Sequence, residues 1–408
     1  MGSEENGPLH VRVHPQCGAC GIAFKVDDRI TSGYLRLTFD HDGLSKIERL
    51  QEVPEEHDSR HTLKAYVIEP AAVLSCVTVE FKFNRARLSI PNATRIRIWD
   101  TPAPPDLNRC LFLSYWGPSC SRFVTIPTRN CTGLTFFFLH LSIKAIHAHT
   151  GRSPSAQETF NRLSSEDRSN LIWIYVPLTP ENPIIGFGVR LIRGRYELLQ
   201  QAPCFLLRME LSGDLTIGPY HRSNTEDVTK RTPNWPTIVH NWPEPGRLVW
   251  NVGVYPSLGG DIHVSEYLST YDRPHIEPPC YSSAPLERVV CTKAYYDPQT
   301  RHCKGILFEY NDKTKMAVGQ CRVELDPFET CQTPSHMCYS VQQCGESDDM
   351  AINAATVRFI TRKEYDDEEN STWERCSMTG TLIFWFTDKT VELEVQHPPQ
   401  PGANLSKA

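Results

Sequence analysis

CKGILFEYNDKTKMAVGQ, at residues 303–320, carries the clearest folding signal in the chain. An apolar-rich run at 303–310 is followed by four polar residues at 311–314, and a second apolar-rich run ends near Gln320. Two short strands joined by a polar turn form a β-hairpin. The stretch therefore predicts a hairpin with its tip at 311–314.

The same pattern recurs elsewhere in the chain. Residues 131–136, CTGLTF, match the start of that hairpin, residues 384–390, FWFTDKT, repeat its tip, and CGIAF at 20–24 is a fainter copy. Since one such unit cannot bury its own apolar face, repetition predicts several sheets packed together. We expect the shared glycine to meet a backbone need, such as a bulge, a turn or a close approach.

These signals predict an all-β protein built from repeated short antiparallel sheet units. The architecture is either β-propeller-like or a multi-sheet sandwich, with few short helices. A capping-box spacing between Ser155 and Glu158 predicts one of those helices. We therefore predict four regions along the chain: an N-terminal β region at 1–150, a short helical crossover at 151–170, a C-terminal β region at 171–397 and a flexible tail at 398–408.

Composition narrows the function classes. The net charge is −6 and no strongly basic stretch occurs. Proteins that bind a nucleic acid neutralise its phosphates with a basic face, so no nucleic-acid partner is expected. No apolar run approaches the ~20 residues of a membrane span. The first residues lack a signal-peptide pattern, which favours a cytoplasmic location. The 15 cysteines and four glycosylation sequons keep secretion open, if a signal peptide precedes this sequence.

Signatures of cofactor chemistry are missing from the sequence. It has no phosphate-binding loop, and Gly186-Phe187-Gly188 lacks the third glycine of a dinucleotide fingerprint, so we expect no cofactor. The pair Cys17 and Cys20 has redox or zinc spacing but no second pair, and we interpret it as structural.

Two histidines and a group of aromatics are the candidates for a site. His147 and His149 are two residues apart on a predicted strand, so their side chains share one face. Since no acidic residue flanks the pair, we predict that it binds no metal. The two histidines either line a pocket or serve as ordinary hydrogen-bonded residues. One proline-rich span contains four aromatic residues: Trp235, Trp242, Trp250 and Tyr255. Such aromatics either pack a core or line a cleft for a flat or apolar ligand or a sugar ring.

Three groups of phrases occur together: IWIYVPL at 172–178; FLLR at 205–208 with GDLTIGPY at 213–220; and SSAPL at 282–286 with GILFEY at 305–310 and GQCR at 319–322. Together they resemble a broad group of filamentous-fungal proteins, some of which carry an F-box. The resemblance runs from about Cys110 to Asp326, and no F-box pattern is visible. Within that group the chain is similar to the hetero-Diels–Alderases of tropolone–sesquiterpenoid biosynthesis.

That resemblance implies a cofactor-independent pericyclase, which joins a tropolone quinone methide to a humulene-type olefin. Its partners would be apolar or aromatic small molecules held at reacting distance, with a donor near the quinone-methide oxygen. We expect His147 and His149 as donors, Arg208 as an oxygen clamp, and Trp242 and Tyr255 as stacking walls. Two alternatives stay open: a lectin-like module without catalysis, and an intracellular interaction or adaptor protein.

Overall fold

The computed structural model describes residues 12–15, 22–25, 33–41, 43–54, 64–74, 78–82, 85–89, 96–112, 122–192, 203–220, 225–242, 248–249, 251–260, 279–347, 350–362 and 373–397. These residues form 29 β-strands and a few short helices. The predicted tail at 398–408 and the pair Cys17 and Cys20 lie outside them.

The strands of the first half are β1 (Arg12–Pro15), β2 (Ile22–Lys25), β3 (Tyr34–Asp40), β4 (Gly43–Leu50), β5 (Ala65–Pro70), β6 (Thr78–Lys82), β7 (Arg85–Ser89), β8 (Ile98–Trp99), β9 (Leu111–Phe112), β10 (Arg122–Pro127), β11 (Gly133–Leu139), β12 (Ser142–His149), β13 (Ile172–Pro177), β14 (Ile184–Ile192) and β15 (Cys204–Met209). Those of the second half are β16 (Gly213–Ile217), β17 (Thr225–Arg231), β18 (Thr237–Asn241), β19 (Val252–Tyr255), β20 (Cys280–Pro285), β21 (Val289–Tyr296), β22 (Cys303–Tyr310), β23 (Lys315–Gly319), β24 (Phe328–Gln332), β25 (His336–Ser347), β26 (Met350–Ile360), β27 (Glu374–Ser377), β28 (Thr381–Phe386) and β29 (Val391–Gln396). The helices are α1 (Ala71–Leu74), α2 (Gln157–Asn161) and α3 (Ser165–Arg168), with 3-10 turns η1 (Leu107–Arg109) and η2 (Thr128–Asn130).

The described strands assemble into seven sheets, with these strand orders: β1-β2-β6-β7; β4-β3-β5-β8-β10-β18-β19-β9; β12-β11-β13; β16-β15-β14-β17; β20-β28-β29; β23-β22-β21-β24; and β26-β25-β27. Neighbouring strands pair antiparallel, as in the β11–β12 and β21–β22 hairpins, whereas β8 and β10 run parallel. The prediction of an all-β chain with repeated small antiparallel sheets and few short helices is confirmed, in the form of several separate sheets.

The hairpin predicted at 303–320 is present as β22 and β23, paired from Gly305↔Gly319 to Glu309↔Lys315. Its turn is closed by the Asp312 carboxylate, which accepts hydrogen bonds from the Thr314 N–H at 2.9 Å and hydroxyl at 2.6 Å. The repeated stretch at 384–390 likewise contains the end of β28 and the turn into β29, with which β28 pairs. The local pattern therefore predicted both hairpins correctly.

The glycine shared by these repeats lies where the backbone comes close to a neighbour. A Cβ on Gly305 would lie 2.7 Å from the Val318 carbonyl oxygen and 2.8 Å from the Gln320 nitrogen. A Cβ on Gly133 would instead overlap the ring of Tyr175. Close approach, one of the structural roles expected for this glycine, is the one observed.

Strands from β10 onward share one large apolar core, whereas β3 and β5 pack around a smaller cluster of their own. Buried polar side chains tie sheets of the large core together. Gln320 is the clearest tie: its side-chain oxygen accepts from the Trp173 backbone N–H on β13 at 3.0 Å, and its amide nitrogen donates to the Thr387 carbonyl after β28 at 3.0 Å. The Tyr296 hydroxyl on β21 donates to the Val357 carbonyl on β26 at 2.7 Å. Such contacts fix the sheets relative to each other because each satisfies a buried backbone group.

The helical crossover at 151–170 contains two helices rather than one. The predicted capping box does not form: the Ser155 hydroxyl accepts from the Gln157 N–H, and α2 begins after Ala156 without a side-chain cap. The second helix is capped by Ser164 instead. Both helices connect β12 to β13, which flank β11 in one sheet, and β10 shares its sheet with β18 and β19, so strands on either side of the crossover lie in common sheets.

No helix among the residues described here is both long and apolar enough to cross a lipid bilayer.

Candidate functional site

The structure places His147 and His149 on one face of β12, with ring centroids 4.7 Å apart. Both side chains are buried. The His149 Nδ1 lies 2.7 Å from the Pro154 carbonyl and its Nε2 lies 2.7 Å from the Thr135 hydroxyl. A carbonyl only accepts, so Nδ1 carries the proton and Nε2 accepts from the hydroxyl.

His147 has the same kind of environment. Its Nε2 lies 3.2 Å from the Ser153 carbonyl and its Nδ1 lies 2.8 Å from the Thr159 hydroxyl. Burial, together with a smaller effect of the neighbouring His149, lowers the pKa of His147 to about 4. Burial also lowers the pKa of His149. Both rings are therefore neutral near pH 7, and their nitrogens hold the segment 151–160 against β12 rather than facing a ligand.

Acid should loosen this histidine clamp. In the unfolded chain the His147 pKa is near its ordinary value of 6.5, whereas the folded value is about 4, so the unfolded state binds more protons between them. The stability is thus complete above pH 6.5 and is lost as pH falls toward 4, by about 2 kcal/mol, less than the full shift because the clamped segment can open locally. In urea unfolding measured across this pH range, the free energy of unfolding should fall less steeply with decreasing pH for His147→Gln than for the unsubstituted protein.

The free energy of unfolding of His147→Gln should still fall somewhat as the pH decreases. His240 is fully buried on β18, and burial lowers its pKa to about 4 as well. Its contribution has the same sign and does not depend on His147. An unchanged slope in His147→Gln would contradict the clamp.

No third ligand joins the two histidines, since the described part of the chain contains no group of three or more His, Cys, Asp or Glu side chains arranged to hold a metal ion.

Arg208 lies away from the histidines, on the β15–β16 hairpin, directly opposite Asp214. Its guanidinium donates two hydrogen bonds to the Asp214 carboxylate, at 2.6 and 2.8 Å. This pairing raises the pKa of Arg208 above its usual range. The fork predicted to clamp a ligand oxygen is thus engaged within the hairpin, where it supports the strand pairing.

The two predicted stacking walls lie at opposite ends of β18. Trp242 follows the strand, and the guanidinium of Arg122 lies 4.5 Å from its ring centre. Tyr255 ends β19 and pairs with Thr237 at the start of β18. Five residue steps along a strand cover roughly 16 Å, so the two aromatic side chains do not share one cleft. Trp250 lies outside the described residues.

A cleft of about 490 Å³ lies beside Tyr255. Thr125 from β10 and Thr237 from β18 lie along the sheet side, and Asp106 and Arg109 come from the turn at η1. The volume is within the range of roughly 300–1,000 Å³ that small-molecule sites occupy. Of the residues predicted to bind substrate, Tyr255 is the one that lines this cleft.

Another part of the cleft lining is apolar. It consists of Val53 and Pro54, which follow β4, and the proline-rich turn of Ala103, Pro104 and Pro105. Proline has a fixed φ and no N–H, so this wall is stiff and offers few donors. It is suited to hydrocarbon rather than to polar substituents.

The polar residues of the cleft are held by local hydrogen bonds. Thr125 donates from both its N–H and its hydroxyl to the Asp100 carboxylate, at 3.0 and 2.9 Å. The Asp106 carboxylate accepts from the Asn108 N–H at 2.9 Å and caps η1. These bonds fix the floor of the cleft and the turn that carries Arg109.

Arg109 is the cation of this cleft. Its guanidinium lies 5.5 Å from the Tyr255 ring centre, within cation–π range. Its backbone carbonyl accepts from the Ser257 N–H at 3.0 Å, which ties the turn to the residues after β19. Within the described ranges its guanidinium forms no ion pair with a carboxylate.

Most residues of this cleft carry no signal in the sequence. Arg109, Asp106 and Thr125 belong to no motif. Arg109 meets Tyr255 only because β9 pairs with β19. A pairing between segments so far apart in sequence has no local signature, so nothing in the sequence pointed to the turn.

In comparisons with known proteins, neither a protein-family model nor a curated protein matches the chain.

Proposed function

We propose that this protein binds a flat, oxygenated small molecule in the cleft beside Tyr255. There it would catalyse the cofactor-independent hetero-Diels–Alder coupling of a tropolone quinone methide with a humulene-type sesquiterpene. The observation that carries the proposal is a cleft whose lining combines an aromatic ring, Tyr255, with polar groups and with prolines. The choice of reaction comes from the resemblance to the fungal hetero-Diels–Alderases.

The chemistry makes modest demands on a protein. The quinone methide supplies a four-atom heterodiene and the olefin supplies two carbons. One C–C and one C–O σ bond and one new π bond form as the two π bonds of the heterodiene and the π bond of the olefin are consumed. No proton, electron pair or leaving group is transferred to the protein. Holding two partners at reacting distance can lower such a barrier by about 7–11 kcal/mol in favourable cases.

The lining of the cleft offers a surface for each of the two partners. The Tyr255 ring offers a face on which the tropolone ring can stack, since offset aromatic pairs are favourable. The olefin would lie against Pro54 and Pro104, where its apolar surface leaves water. This arrangement would hold the reacting atoms together without a nucleophile.

A turnover assay with the purified protein tests the reaction. The tropolone quinone methide is generated in solution with humulene present, and the adduct is followed by chiral chromatography and mass spectrometry. We expect faster formation of one stereoisomer, lost when the protein is heated. Equally slow formation of racemic product with and without the protein would contradict the proposal. Carbohydrate binding and protein interaction would then be the functions to test next.

A further inference from the structure

We infer that the cleft selects a flat ligand bearing an anionic oxygen, and that Arg109 is the residue that recognises it. The inference rests on the proposed ligand-binding role of the cleft and not on the cycloaddition. Its chemical class is an aromatic carboxylate or an ionised enol, because both present planar oxygens that fit the guanidinium fork.

The first support is the state of Arg109 compared with other arginines of the fold. Arg190 and Arg208 each place two guanidinium nitrogens on one carboxylate, with distances of 2.6–2.8 Å. Arg109 lines the cleft and, in the part of the chain that the structure describes, forms no such pair. Its fork can therefore accept a carboxylate from a ligand.

The second support is its position over an aromatic ring. With the guanidinium 5.5 Å from the Tyr255 ring centre, a ligand ring stacked beside Tyr255 brings its substituents within reach of the Arg109 N–H groups. The hydrogen bond from Ser257 to the Arg109 carbonyl anchors the backbone of this turn. The cation is thus presented from a fixed backbone, which reduces the entropy lost on binding.

Asp106 opposes an anion in the same cleft. Its carboxylate lines the cleft three residues before Arg109 and already accepts the Asn108 N–H. A bound oxyanion must then lie toward Arg109 and away from Asp106. The two side chains should act on affinity with opposite signs, which a merely structural role of this turn would not produce.

Binding measured by isothermal titration calorimetry, with no olefin present, tests the inference. The probes are 2-naphthoate against 2-naphthamide, and tropolone against its methyl ether, in mildly alkaline buffer that ionises both acids. We expect each anion to bind more tightly than its neutral analogue. Arg109→Gln should weaken anion binding about tenfold, as for a lost charge-assisted hydrogen bond, and leave the neutral probes within about twofold.

Two further variants complete the test. Asp106→Asn keeps a good capping residue but removes the charge, and should tighten anion binding about threefold. Arg122→Gln is the matched control, since it removes another arginine that lies over an aromatic ring and that does not line the cleft. It should leave all four affinities unchanged.

Equal losses for anions and neutral probes in Arg109→Gln would overturn the inference, as would failure of every probe to bind. If only 2-naphthoate discriminates, the ligand is a carboxylate; if only tropolone does, it is an ionised enol. Anion selectivity without any adduct in the turnover assay would refute the proposed cycloaddition and keep this inference. Adduct formation without anion selectivity would do the reverse.

Discussion

Replacing Phe205 with alanine should lower the free energy of unfolding by about 4 kcal/mol, which is typical of a fully buried phenylalanine. Phe205 is 0% exposed on β15. Its ring centre lies 5.6 Å from that of Phe136 and 6.1 Å from that of Phe187. Phe136 belongs to the β12-β11-β13 sheet and Phe187 to the sheet of β15, so the cavity would open between two sheets that cannot easily close around it.

Urea unfolding followed by tryptophan fluorescence measures this loss. The matched control is Phe328→Ala, because Phe328 lies on the edge strand β24 and is 48% exposed. Its ring centre lies 5.4 Å from that of the buried Tyr295 and 5.2 Å from the Lys293 ammonium, but half of the side chain is in water, so the expected loss is at most about 2 kcal/mol. Similar losses for the two variants would show that the sheets do not share the core described here.

Replacing Gly305 with alanine should cost about 3 kcal/mol, at the upper end for overpacking. The added Cβ would lie 2.7 Å from the Val318 carbonyl oxygen and 2.8 Å from the Gln320 nitrogen. Both obstacles are backbone atoms, so the strands β22 and β23 must separate to make room. Since Gln320 also ties three sheets together, the strain would not stay within the hairpin.

The control for this variant is Gly151→Ala, at a position where a Cβ would meet nothing within 4 Å. There the same methyl group should change stability by less than about 1 kcal/mol in either direction. Both are compared by urea unfolding, and a Gly305→Ala chain that never accumulates as folded protein is the same outcome in a stronger form. Equal stability of the two variants would contradict the close approach.

Local structure was predictable because its signals are local. The hairpin at 303–320 follows from two apolar-rich runs around a polar turn, and its copies follow by similarity. The contact between Arg208 and Asp214 is also within reach of such reasoning, since the two residues face each other across a short hairpin. The expectation that Arg208 binds a ligand oxygen treats its strand without the paired strand that carries Asp214.

The candidate site was less predictable because long-range strand pairing creates it. His147 and His149 share a face, as expected, but whether that face meets a cleft or a covering segment depends on how residues 151–160 fold back. Tyr255 stands out in the sequence as an aromatic residue near prolines, but the turn that carries Arg109 reaches it only through the pairing of β9 with β19.

The central claim is that the cleft beside Tyr255, and not the other aromatic positions, is the functional site. The most direct measurement is the cycloaddition rate, above the protein-free background, for Tyr255→Ala and Trp242→Ala, each first shown by urea unfolding to be folded. Losing a stacking wall is worth about 1–1.5 kcal/mol, so Tyr255→Ala should lose roughly tenfold in rate and some stereoselectivity, whereas Trp242→Ala should stay within about twofold of the unsubstituted protein. An unchanged rate in Tyr255→Ala, or a larger loss in Trp242→Ala, would contradict this account.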